Sequence, residues 1–108
     1  MKRILVTGAG GFIGRELVNQ LSKDKKNEII AIDNNIRGNL KSIDENKNII
    51  VKKVDVRKRE KLKRIFKNID ECYHLAAING TKNFYEKPNL VLDVGVLGTI
   101  NVVELVKE

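Results

Sequence analysis

The stretch "RILVTGAGGFIGREL", residues 3–17, decides the fold. A run of strand formers ends directly at a glycine-rich segment, and a helical pattern opens at about Phe12, with Ile13, Leu17 and Leu21 on one face. An ordinary surface turn does not need so many glycines. Their regular spacing is Gly8, Gly11 and Gly14, with Gly10 as an extra, so the segment is G-x-x-G-x-x-G rather than G-x-G-x-x-G. Gly8 lets the chain turn sharply out of the strand. Gly10 and Gly11 let the backbone approach a ligand without an intervening Cβ, and Gly14 lets the helix lie against the sheet. The helix start then offers unpaired N–H groups and a positive dipole end to an anion. Together these features point to a dinucleotide pyrophosphate.

Working outward, "EIIAID" (28–33) is a continuous apolar run of strand length, as in a strand covered on both faces. A polar loop leads to a third strand, "IIVKKVDV" (49–56). An amphipathic basic helix follows, then a fourth strand, "ECYHLAA" (71–77). After a loop, Pro88 suits the first turn of a helix reaching about Lys107, with Asp93 acidic near its start. Strands alternating with helices build a parallel sheet through right-handed crossovers. The fold class is therefore α/β: a partial Rossmann-like, doubly wound parallel sheet of about four strands, order 3-2-1-4, in one domain over 1–108.

Asp33 strengthens the reading. It closes the second strand 19 positions after Gly14, where a carboxylate hydrogen-bonds the adenosine ribose hydroxyls. A carboxylate there repels a 2′-phosphate and so favours NAD over NADP, although Arg37 nearby weakens that preference. There is no G-x-x-x-x-G-K-[ST], so an ATP-cradling loop is not supported.

Composition bounds the remaining classes. With 42% hydrophobic and 32% charged residues, the chain is neither disordered nor fibrous. No uninterrupted apolar run is long enough to span a bilayer, and "MKRILVTGAG" begins a strand rather than a signal peptide. The single cysteine, Cys72, cannot form an internal disulfide and fits a reducing, cytoplasmic setting. It reads as core rather than nucleophile, and His74 as a strand histidine. The net charge of +7 is concentrated between Lys52 and Lys67, where nine basic residues face Asp55 and Glu60. Leu62, Ile65, Phe66 and Ile69 form a core-facing stripe there, leaving the charges outward, and no aromatics are interleaved as single-strand binding would favour. A solvated face is preferred over a nucleic-acid surface.

Several motifs in order carry a resemblance: "TGAGGFIG", "DNNIRGN" from residue 33, "DVR" at 55–57, "HLAA" at 74–77 and "GT" at 98–99. The chain resembles the extended short-chain dehydrogenase/reductases, most nearly the NAD-dependent nucleotide-sugar epimerases and dehydratases. The resemblance implies that the glycine loop holds the diphosphate, with backbone donors from Phe12 and Ile13. It implies that Asp33 and Asn34 hold the ribose, and that Asp55 and Val56 meet the adenine edge; for Asp55, a strand-end cap is the alternative reading. Leu75, Ala76 and Ala77 would line the cofactor channel. It also implies that the final helix can contribute to a homodimer helix bundle.

In that family a Tyr and a Lys four residues later carry proton transfer, the Lys lowering the Tyr pKa. Here Tyr73 is followed at that distance by Ala77, and Tyr85 by Asn89. No catalytic residue is therefore assigned, and no metal ligands. Gly95 stands where many relatives have an Asn that helps organise the active site. The motif set reads as the NAD-binding front of an enzyme, truncated before its catalytic and substrate-binding region and binding NAD without turnover. A nucleotide sugar is a partner only of an intact relative. The alternatives are a stand-alone dinucleotide-binding or partner-binding module and a nucleic-acid binder.

Overall fold

In the computed structural model, which describes residues 1–34, 39–43, 46–78 and 81–107, the apolar run after Lys2 forms strand β1 (Lys2–Thr7). Helix α1 (Phe12–Ser22) follows the glycine loop, and β2 (Asn27–Asp33) returns parallel to β1, in register from Lys2 opposite Asn27 to Thr7 opposite Ile32. A 3₁₀ turn (Leu40–Ser42) precedes β3 (Ile49–Lys53), which pairs parallel with β2. After α2 (Arg59–Ile65), β4 (Glu71–His74) pairs parallel with the other edge of β1. The sheet order is β3-β2-β1-β4, as the sequence predicts. Two helices follow, α3 (Thr81–Glu86) and α4 (Pro88–Lys107).

Continuous apolar strands are explained by the two cores. Ile4, Val6, Ile29 and Ala31 pack on one face with Val18 of α1, while Leu5, Ile30 and Ile32 pack on the other with Leu62 of α2 and Val94, Val102 and Leu105 of α4. Strand residues alternate between faces, so a strand covered on both sides is apolar at every position.

Three boundaries differ by more than a residue from the sequence reading, and one helix is added. β3 ends at Lys53 because Asp55 folds into a turn: its side chain accepts from Arg57 N–H (2.9 Å) and its carbonyl from Lys58 N–H (2.9 Å). β4 ends at His74 because β1 ends at Thr7: Leu75 N–H is shared between the Thr7 carbonyl (3.3 Å) and the Thr7 hydroxyl (3.0 Å), and Ala76 N–H bonds to that hydroxyl. α2 stops before Ile69, where Asn68 takes a left-handed φ of 59°; Ile69 still packs against the core from beyond the helix. α3 lies where the sequence reads as loop, six residues being too few to show a helical period.

The outer side of α2 carries Lys61, Lys63 and Arg64 in solvent, followed by exposed Lys67, while Arg59 pairs with Glu104 of α4. In α4, residues Asp93–Leu97 form a π-helical turn within an otherwise α-helical segment. By length and composition α4 is apolar enough to cross a membrane, with a mean hydropathy of 1.6. The uninterrupted-run criterion misses this because Asp93, Asn101 and Glu104 break the run. Here one side packs on the sheet and the other leaves Leu92, Val96, Leu97, Ile100, Val103 and Val106 exposed.

Candidate functional site

At the carboxyl ends of β1, β2 and β4 the strand order reverses, the place where open α/β sheets bind ligands. A cavity of about 450 Å³ lies there, within the range of small-molecule sites. Of the residues singled out from sequence, Gly8, Gly11, Phe12, Ile13, Asp33, Asn34, Val56, Leu75, Ala76 and Ala77 line it. Gly10, Gly14 and Asp55 are not among the lining residues.

The glycines divide the work differently from the sequence reading. Gly8 has φ +66°, and a Cβ there would sit 2.7 Å from the Leu75 carbonyl carbon, so both the turn and the close approach of β4's continuation require glycine. A Cβ on Gly10 would lie 2.7 Å from Asn39 N. Gly10 is therefore glycine because the following loop packs on it, not because it faces the cavity. A Cβ on Gly14 would overlap the Gly8 carbonyl oxygen, so this residue seats α1 on the glycine loop itself. Of these four, only Gly11 is open: its nearest neighbour would be Gly8 O at 3.4 Å.

Gly11 is also the N-cap of α1, and no side chain caps that end. The N–H groups of the first turn, on Phe12, Ile13 and Gly14, thus lack intrahelical partners by helix geometry, and Phe12 and Ile13 line the cavity. Their side chains are solvent-exposed. Asp33, the charged side chain among the described lining residues, is buried at the tip of β2. Its Oδ2 accepts from Gly10 N–H at 2.9 Å, while Ala9 N–H bonds to Ile32 O at 3.0 Å. Asp33 therefore both faces the cavity and anchors the glycine loop.

Asp55 has another occupation. Arg57 Nη2 donates to its Oδ2 at 2.6 Å, and Arg57 Nε lies 3.1 Å from each carboxylate oxygen. Burial pushes the Asp55 carboxyl upward, but hydrogen bonds from Arg57 and Asn34 and the Arg57 charge hold it below the ordinary value. The strand-end cap is what the geometry displays, and Val56 is the member of that pair on the cavity wall. Asn101 Nδ2 donates to Val56 O at 2.9 Å, tying α4 to that wall.

Sequence reasoning missed Ile32, Val54, Ile78 and Val94, all on the cavity wall. Ile32 and Val54 could have been found as neighbours of Asp33 and Asp55 at strand ends; Val94 could not, because helical periodicity does not say which end of a helix faces a ligand. Arg37 lies outside the described residues. Cys72 is half-buried against the core that includes α4, and burial pushes its thiol up to about 11, away from nucleophile behaviour. Among the described residues no His/Cys/Asp/Glu cluster could hold a metal ion.

The open cradle at Gly11, the uncapped helix start and the carboxylate at the end of β2 fit a dinucleotide: donors for a diphosphate, an acceptor for ribose hydroxyls, and small residues where the ligand passes.

The chain is 33% identical over 105 residues to a UDP-glucuronic acid decarboxylase of Arabidopsis thaliana, covering 97% of this chain and 30% of that protein. It superposes on an epimerase from Methanothermobacter thermautotrophicus with a TM-score of 0.90 at 36% identity, covering 96% of this chain and 31% of the other. It superposes on the UDP-glucose 4-epimerase of Thermus thermophilus, solved in complex with NAD, with a TM-score of 0.83 at 32% identity, covering 95% and 33%. The chain thus spans about a third of the length of the relatives it matches. The NAD dependent epimerase/dehydratase family matches over residues 4–108, and the chain belongs to that family.

Proposed function

We propose that this chain is the NAD-binding portion of a nucleotide-sugar epimerase or dehydratase-like protein, and that the chain by itself binds NAD without turning over a sugar. The observation that carries this is the cavity at the strand-order reversal, where Gly11, an uncapped helix start and Asp33 converge. The first-turn N–H groups of α1 would receive the diphosphate, Asp33 and Asn34 the adenosine ribose, and the Leu75–Ala77 wall the remainder of the dinucleotide. In a longer protein of this kind, bound NAD would supply hydride acceptance from, and return to, a sugar carbon. The relatives' names include decarboxylases and epimerases alike, so the reading extends to the cofactor and to nucleotide sugars as a class. Neither Tyr73 nor Tyr85 has a lysine four residues on, which is why turnover is assigned to the longer relatives.

Calorimetric titration of the 108-residue chain with NAD and with NADP tests the reading. Saturable binding of NAD, tighter than that of NADP, is expected. Absence of binding to either would overturn the proposal. Turnover of a nucleotide sugar, abolished by a substitution in this chain, would overturn its second half.

A further inference from the structure

Behind the cavity wall runs a chain of side-chain hydrogen bonds that the site reading does not use. The buried Thr7 hydroxyl lies 2.7 Å from His74 Nδ1, and His74 Nε2 lies 3.0 Å from the Thr99 hydroxyl on α4. The Thr99 hydroxyl donates to Gly95 O at 2.6 Å, across the π-helical turn. A hydroxyl has one proton to give, so Thr99 can only accept from the histidine, and Nε2 carries hydrogen. At the other end, the Thr7 hydroxyl oxygen accepts two N–H groups, from Leu75 (3.0 Å, shared with the Thr7 carbonyl at 3.3 Å) and Ala76 (3.1 Å). Its proton is then directed to Nδ1, which must be bare. The network itself assigns neutral histidine with hydrogen on Nε2.

The consequence falls on the cavity. Leu75 and Ala76 line it, and their backbone is held by Thr7 against Gly8, with no room for a Cβ between them. A proton on Nδ1 would face a hydroxyl whose acceptor positions are already taken. Either the Thr7–His74 contact or the grip on Leu75 and Ala76 then gives way. We propose that Thr7, His74 and Thr99 form a positioning chain that sets the Leu75–Ala77 wall for the dinucleotide, and that it holds only while His74 is neutral.

This rests on the cavity being the NAD site. The titratable and charged groups on the elements packed around His74 are Lys2 and Arg3 on β1, Glu71, Cys72 and Tyr73 on β4, and Asp93, Glu104 and Lys107 on α4. Lys2 pairs with Glu71, Arg3 with Glu28, and Glu104 with Arg59. Burial is what lowers the His74 pKa, so the neutral form is favoured near pH 7.

His74 is the one histidine of the chain, so its imidazole nitrogen resonances are unambiguous. Nitrogen NMR of the 108-residue chain should show the Nε2–H tautomer, and the Nδ1–H tautomer would overturn the proposal. NAD affinity is then measured one pH unit above and one below the observed His74 midpoint. Weaker binding on the acid side is expected, and by reciprocity saturating NAD should lower the midpoint, about one unit for each tenfold difference in affinity. Thr7→Val should weaken NAD binding about tenfold, the scale of one lost hydrogen bond, and flatten its pH dependence; Thr7→Ser should restore both. NAD binding equally tight on both sides of the midpoint would leave the site reading standing and overturn the positioning role. No NAD binding at either pH would overturn the site reading and this proposal with it.

Discussion

Replacing Gly11 by valine separates the ligand-facing role of a glycine from its structural role. Gly11 has φ −78° and ψ 175°, extended backbone that a β-branched residue adopts readily. Its Cβ would meet only Gly8 O, at 3.4 Å, so the side chain enters open space. Losing glycine's unfolded-state entropy stabilises by about 0.4–1 kcal/mol, and losing a tolerated N-cap residue costs a similar amount. The melting temperature should therefore stay close to wild type. Binding should not survive. Valine stands where a phosphate would reach the N–H groups of Phe12 and Ile13, and charge-assisted hydrogen bonds are worth about 1.5–3 kcal/mol each. Two of them lost weaken binding by at least about a hundredfold, at tenfold per 1.4 kcal/mol. Gly14→Ala is the contrasting control: its Cβ would overlap Gly8 O, so it should lower stability by about 1–3 kcal/mol. Thermal denaturation and NAD titration on the same samples give both readouts. A Gly11→Val chain that folds and binds NAD like wild type would refute the diphosphate assignment, and one that unfolds would refute the separation of roles.

Asp33→Ala should narrow the gap between NAD and NADP affinities, and cost about 1–3 kcal/mol in stability by leaving buried Gly10 N–H without its acceptor; titration and chemical denaturation read the two separately. Asp55→Asn should destabilise by about 1 kcal/mol at pH 7. Because the folded Asp55 pKa is depressed, its stabilisation is present above the ordinary carboxylate range and is lost as pH falls through the lower folded value, so wild-type and variant urea midpoints should converge only in that acid window. The chain should self-associate at micromolar concentration through the exposed side of α4 and the outer edge of β4, and sedimentation showing a compact monomer there would refute this.

What could be read from the sequence follows from how local the cause is. "RILVT" and "EIIAID" announce buried strands because burial on two faces leaves no polar position, and "TGAGG" announces the loop because glycine is required locally at Gly8. The strand order followed from the alternation of strands and helices. The turn at Gly8 was legible, but the close approach of Leu75 and Ala76 to it was not, nor were the reasons for Gly10 and Gly14, since each depends on what the rest of the chain brings alongside: Asn39 against Gly10, the Gly8 carbonyl against Gly14. For Asp55 the strand-end cap was one of two readings; which of them holds was not legible, because a turn and a strand extension read alike in "VDVR". The Thr7–His74–Thr99 chain was hidden for the same reason. It joins residues 67 and 25 positions apart that no periodicity relates.

The seating of α4 explains how a cavity can be built beside so much uncovered apolar surface. Gly98 lies so close to the chain just beyond β3 that a Cβ would come within 2.5 Å of Val56 Cγ2, and Asn101 donates to Val56 O. Thr99 adds the bond to His74. The helix is therefore fixed to the cavity wall by small and polar residues, with Val94, Val102 and Leu105 filling the core between them. The bulk of Leu92, Val96, Leu97, Ile100, Val103 and Val106 is not needed for that attachment and lies on the opposite side. Covering that side, by a second copy or by further polypeptide, leaves Val56 and Val94 where they are. The proposed dinucleotide site and the proposed association surface therefore lie on different sides of α4, and a substitution such as Ile100→Lys should suppress association while leaving the cavity intact.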